Sequence, residues 1–264
     1  MSDSLVLYEL HPPAAIITLN RADKRNALSR SLIAGLTDAF SRAREDSSAR
    51  CVILAAAGSV FCAGMDLAEL QQSLATAAEN TPVWDDALRL ARLYDLIYTL
   101  PKPTIAAVNG AAVAGGAGLV TVCDLAIATP AARFGYPEVR RGLVAAMVMP
   151  HLLRHVGERL ARYLLLTGEL IDAGEALRAG LINDIVADNA LLDRALAMSR
   201  SLAEGGPQAL AQTKALLHQF SRQALSVEDC ARASASPRLT DECQQGLKAF
   251  FAKQPAPWLG NARG

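Results

Sequence analysis

Residues 104–118 read TIAAVNGAAVAGGAG, a strand-like apolar run followed at once by a glycine-rich turn. A turn of this kind entering a helix leaves free backbone N–H groups at the positive end of the helix. Glycines there admit unusual dihedrals and let a ligand approach the backbone. A second glycine turn, Phe61-Cys62-Ala63-Gly64-Met65-Asp66-Leu67, lies upstream, and a third segment, Phe134–Leu143 (FGYPEVRRGL), carries Glu138. Two such turns from different strands can place two N–H donors on one oxygen, and a carboxylate across the cavity can then move a proton.

The surrounding pattern predicts what carries these turns. Leu5–Leu10 and Ala14–Leu19 read as a hairpin or two successive strands around His11-Pro12-Pro13. Ser29 can cap a helix to about Glu45 with an apolar stripe at Leu32, Leu36, Ala39, Phe40 and Ala43. Cys51–Ala56, Thr104–Val108, Leu125–Ala128 and Arg133–Phe134 read as strands. Gln71–Pro82 reads as a polar loop, and Val83–Leu100 as a helix stopped by Pro101 and Pro103. Beyond Met149 the pattern is helical: His151–Val156, Glu158–Thr167, Ala173–Ala179, Leu191–Ala203, Pro207–Phe220 and Thr240–Ala252. Strands alternating with helices, then helices alone, fit an α/β core with a helical C-terminal part.

Bulk properties exclude several classes. Twenty-six basic residues against 26 acidic ones remove the electrostatic footprint of a dominant nucleic-acid role. Apolar residues at 52% suit a packed globule, and only 5% aromatics favour close-packed helices over a β-sandwich. No stretch is long and uncharged enough to span a bilayer, and the start carries no targeting pattern, so a cytoplasmic location is expected. The cysteines (Cys51, Cys62, Cys123, Cys230, Cys243) show no CxxC spacing and read as reduced, buried thiols.

Other motifs carry less. From Gly116, the last glycine of a G-x-G-x-x-G pattern would fall on Thr121, so a dinucleotide loop fails. His151 and His155 could share a helix face but lack an HExxH glutamate or an evident third ligand. Cys62 has no histidine close in sequence and reads as a packed thiol.

Taken together, KRNALS at Lys24–Ser29, FCAGMDL, VNGAAVAGGAGL with CDLAIA, FGYPEVRRGL and Leu164–Val186 resemble the crotonase (enoyl-CoA hydratase/isomerase) superfamily in order and spacing over nearly the whole chain. The resemblance implies a spiral of ββα units over 1–200, with a helical C-terminal trimerisation region over 201–264. It implies trimers or dimers of trimers, with an acyl-CoA thioester as substrate and no separate cofactor or metal. By position, Met65 N–H and Gly115 N–H would form an oxyanion hole and Glu138 would be the catalytic carboxylate. Arg25, Asn26, Ala27, Ala63, Asp66 and Leu67 would line the CoA path, beside Gly116 and Gly118.

One departure bears on the reaction. Typical enoyl-CoA hydratases carry a second glutamate where this chain has Gly118, whereas Δ3,Δ2-enoyl-CoA isomerases work with one. The glycine loop and the EVRRGL segment also resemble bacterial 3-methylglutaconyl-CoA and isohexenylglutaconyl-CoA hydratases. That implies hydration of a branched or carboxylated acyl group, with Gly118 leaving room beside the reacting carbons. Arg140 or Arg141 would then be a candidate carboxylate anchor. Gln71–Pro82 and the helix bearing Trp84 and Tyr94 would shape the acyl end. A non-catalytic CoA- or RNA-binding paralogue is the alternative from another class.

Overall fold

The computed structural model describes residues 4–76, 81–222, 241, 245, 249, 252–255 and 257. In chain order its elements are β1 (Val6–His11), β2 (Ala14–Leu19), α1 (Arg30–Glu45), β3 (Cys51–Ala56), β4 (Val60–Cys62), α2 (Leu67–Thr76) and α3 (Thr81–Tyr98). There follow β5 (Thr104–Val108), β6 (Ala111–Val113), α4 (Gly115–Val122), β7 (Leu125–Ala128), β8 (Arg133–Gly135) and α5 (Met149–Thr167). The chain continues through β9 (Leu170–Asp172), α6 (Ala173–Arg178), β10 (Asp184–Ile185), α7 (Leu191–Ala203) and α8 (Pro207–Arg222).

The first two strands form the expected antiparallel hairpin, and from β2 onward the larger sheet, in order β1-β2-β3-β5-β7-β10, is parallel. After each of β3, β5 and β7 the chain adds one short strand to a second sheet, of order β4-β6-β8-β9, before entering a helical segment. This is a spiral of ββα turns, the predicted crotonase-type α/β fold. Parallel strands must return by a crossover, so successive turns stack their equivalent strands side by side.

Both faces of the large sheet are covered, as a parallel sheet requires. Ala15, Ile17 and Leu19 of β2 join Leu32, Leu36 and Phe40 of α1 in the main core. Ala14 and Ile16 point the other way, to Ile53, Ile105 and Ile127 and to Leu191 and Ala195 of α7. The predicted α1 stripe is buried along its length, and Ser29 Oγ caps the helix by accepting from Leu32 N–H at 3.2 Å.

Two expectations need correction. The segment from Gln71 is not a loop, because α2 runs to Thr76 and α3 begins at Thr81, with 77–80 outside the described residues. A local cap and a tertiary contact support this weakly patterned helix: Asp66 Oδ1 accepts from Ala68 N–H at 3.1 Å, and Glu69 Oε2 accepts from Arg30 N–H at 2.8 Å. The three-residue strands β4, β6 and β9 were not anticipated as such, being too short for a period to register. The helices expected over 151–156 and 158–167 are both present, separated by Gly157 at φ 69°, ψ 173°. Cys230, Cys243, Phe250, Phe251 and most of the helix expected over 240–252 lie outside the described residues.

Candidate active site

The three motif segments leave three neighbouring parallel strands, β4, β6 and β8, at the same end. The topology therefore brings together residues that lie more than a full spiral turn apart in sequence.

The first turn is held by the 25–28 segment. Ala63 N–H donates to Arg25 O at 3.0 Å, Leu28 N–H to Gly64 O at 2.8 Å, and Asp66 N–H to Leu28 O at 3.2 Å. This alternation turns Met65 N–H to the opposite side, where it has no partner among the described residues. Gly64 sits at φ +86°, and a Cβ there would fall 2.8 Å from Ala114 Cβ and 3.3 Å from Gly115 N. The two turns thus abut. Gly115 is the first residue of α4, so its N–H lacks an intrahelical acceptor. Ala114, just before it, sits at φ 53°, ψ −124°, a conformation an L-residue rarely adopts.

Glu138 lies on a 3-10 turn, Pro137–Arg141, directly after β8. Met65, Gly115 and Glu138 line one cavity of about 180 Å³, with Tyr94 and Arg141. Its remaining wall is apolar, supplied mainly by Leu90 and the 143–148 segment. Burial raises the Glu138 carboxyl above its ordinary range, partly offset by its own N–H and by Arg141, and Oε2 has no hydrogen-bond partner. In such a cavity two backbone N–H donors can stabilise an oxyanion, and a half-buried carboxylate can move a proton.

The other predicted site residues divide into two groups. Ala63 and Leu67 line the cavity, and Arg25 and Ala27 flank the first turn. Asn26 is wholly buried, its side chain accepting from Arg21 N–H at 2.8 Å and donating to Ala57 O and Val60 O, each at 2.9 Å. So placed, it does not face the expected CoA path. Asp66 pairs with Arg21 at 2.6 Å. Gly116 and Gly118 are buried, and the expected room at Gly118 is absent: a Cβ there would lie 2.4 Å from Val148 Cγ1 and 2.6 Å from Tyr94 Oη. Asn26→Ala would orphan one donor and two carbonyls, and is expected to lower stability by at least about 2 kcal/mol in chemical denaturation.

Further groups sort themselves by contact. Arg140 turns away to Thr167 O, at 3.0 Å, and to Glu169. Arg141 faces the cavity with no ion pair among the described residues. Burial pushes the Cys62 thiol up to about 12, and the thiol donates to Asn26 O at 3.0 Å. That is the packed role expected of it. His155 Nε2 bonds Thr121 O, while His151 meets Tyr98 edge-on and contacts Arg154. Tyr94, named on the helix expected to shape the acyl end, lines the cavity, but nothing in the sequence pointed to its bond with Gly115 O.

The enoyl-CoA hydratase/isomerase family pattern matches residues 13–261, across every element of this site. The chain belongs to that family. A Thermus thermophilus relative, provisionally named an enoyl-CoA hydratase, is 42% identical over 245 residues, covering 91% of this chain and 95% of its own. The 2,3-dehydroadipyl-CoA hydratase of Escherichia coli is 32% identical over 93% of this chain and 94% of its own. Among solved structures, an enoyl-CoA hydratase from Shewanella pealeana superposes with a TM-score of 0.91 at 32% identity, covering 97% of both chains. Membership of the enoyl-CoA hydratase/isomerase family makes the chain an enzyme acting on acyl-CoA thioesters. No helix among the described residues is long and apolar enough to cross a membrane.

Proposed function

We propose that the enzyme hydrates the 2,3 double bond of an acyl-CoA whose acyl group carries a second carboxylate, as in 3-methylglutaconyl-CoA. The carrying observation is that Met65, Gly115 and Glu138 line one cavity, the first two with backbone N–H groups that have no partner among the described residues. The thioester oxygen sits on the two amides. Glu138 takes a proton from water as the oxygen bonds to C3, and the π electrons of C2=C3 move into the enolate held by the hole. The proton then returns to C2 from Glu138, so water is added and nothing is oxidised. This chemistry asks for no metal or redox group, and CoA serves as the handle of the substrate.

Support for the carboxylated acyl group comes from Arg141, the basic residue among those that line the cavity. Arg141→Met is expected to raise KM for 3-methylglutaconyl-CoA by about tenfold or more and to leave crotonyl-CoA nearly unchanged. Equal effects on both thioesters would sink the anchor. Exposed Leu217 and Phe220 on α8 support the reading of residues 201–264 as the assembly region of a trimer or dimer of trimers. A cytoplasmic location completes the proposal.

The decisive test is turnover of both thioesters in H₂¹⁸O, beside Glu138→Gln, with mass-spectrometric readout. Glu138-dependent ¹⁸O at C3 supports hydration. The apolar wall and single carboxylate favour one rival, in which Glu138 moves a proton between C2 and C4 of a 3-enoyl thioester. Conversion of such a substrate without ¹⁸O uptake would replace hydration by isomerisation.

A further inference from the structure

We infer that Tyr94 is a positioning residue that fixes the aim of the Gly115 N–H by donating its phenol proton to the Gly115 carbonyl. The inference rests on the oxyanion-hole reading above. It starts from Ala114, whose φ 53°, ψ −124° sets the orientation of the peptide that bears the Gly115 N–H. A non-glycine residue keeps such a conformation only where its surroundings over-determine it. Three ties do so here. Ala114 N–H donates to Gly135 O at 2.8 Å, Gly118 N–H donates to Ala114 O at 3.0 Å, and Tyr94 Oη donates to Gly115 O at 2.7 Å. The first two are backbone bonds that any sequence on this fold could make. The third is a choice of side chain.

The space around Tyr94 is built for it. The residue is 2% exposed, and its hydroxyl lies 2.6 Å from where a Cβ on Gly118 would be and 3.0 Å from where one on Gly115 would be. Both glycines therefore admit the phenol, and Gly118 in particular accommodates a tyrosine rather than a substrate. Burial raises the phenol well above its ordinary pKa, followed by the nearby Cys62, Tyr136 and Glu138, so it stays a neutral donor. Without the hydroxyl, Ala114 can relax toward an ordinary φ and rotate the Gly115 N–H away from the thioester oxygen.

Tyr94→Phe keeps the ring and removes only the bond. The expected result is a kcat lower by about 10- to 100-fold with KM within about threefold and an unchanged pH profile. Adding Ala114→Gly relieves the strained residue and should return about threefold or more of the lost kcat. A second readout needs no turnover. Bound 4-dimethylaminocinnamoyl-CoA, a push–pull chromophore, should shift its absorption to the red as the hole polarises its carbonyl, and Tyr94→Phe should shrink that shift. A wild-type shift kept whole in Tyr94→Phe, or an unchanged kcat, overturns the inference alone. A wild type that binds the probe without a shift overturns the hole and the inference with it.

Discussion

Glu138→Gln is expected to lower kcat by about 10²- to 10⁴-fold while leaving KM for the thioester within a few-fold, because it removes proton transfer and little binding. The half-buried carboxyl sits in the cavity with one oxygen unpartnered, so glutamine fits the same volume. Steady-state kinetics on the favoured enoyl-CoA checks this, and a loss below about tenfold would remove Glu138 from the chemistry. In the proposed mechanism Glu138 acts as carboxylate, so activity is expected to fall as pH drops through its pKa. Burial raises that pKa, which places the acid limb of kcat/KM above the ordinary glutamate range.

The same shift has a stability consequence of definite sign. Between the ordinary and the raised value the folded chain holds a proton that the unfolded chain has released. The stabilising contribution is therefore complete below the unfolded pKa and is lost as pH rises through the folded one. At neutral pH the wild type keeps a poorly solvated charge that Glu138→Gln lacks. The variant should melt higher at pH 7 and indistinguishably near pH 4, as differential scanning fluorimetry across that range would read. A variant less stable at pH 7 would contradict the burial of this carboxylate.

Gly64→Ala is expected to cost about 10²- to 10³-fold in kcat, the size seen when one donor of such a hole is lost. Its methyl would fall 2.8 Å from Ala114 Cβ and 2.9 Å from Val113 O at a φ of +86°, which an L-residue adopts only with strain. Relief requires movement of either the Met65 turn or the Ala114–Gly115 turn, and each carries one amide of the proposed hole. Circular dichroism should show a folded protein, since Gly64 lies on a turn outside the sheets. Full activity in a folded Gly64→Ala would show that the two amides do not act together.

How far the sequence alone reached depends on element length. Helix α1, the hairpin and β5 were legible because each is long enough to register and is bounded by local signals, such as Ser29 at the start of α1 and Pro101 and Pro103 ahead of β5. Strands β4, β6 and β9, at three residues each, have no period to read and exist because a neighbour supplies their hydrogen bonds. A short helix was expected after the first glycine turn, but its continuation past Gln71 to Thr76 was missed for a related reason, since its first turn is fixed by Glu69 reaching Arg30 across the fold.

At the site, the glycine turns and the Glu138 segment leave local marks in the sequence, and it was the family resemblance they carry that pointed to Met65, Gly115 and Glu138 by position. Which residues face the cavity was decided by the tertiary structure. Asn26 and Gly118 stand in recognisable motifs, yet one is consumed by buried backbone groups and the other lies beneath Tyr94. The adjacent arginines look alike in sequence, and only the turn after β8 sends Arg140 to Glu169 and Arg141 to the cavity. Local chemistry is carried by residue type and spacing, but side-chain direction and available volume belong to the packed neighbours, which come from distant parts of the chain.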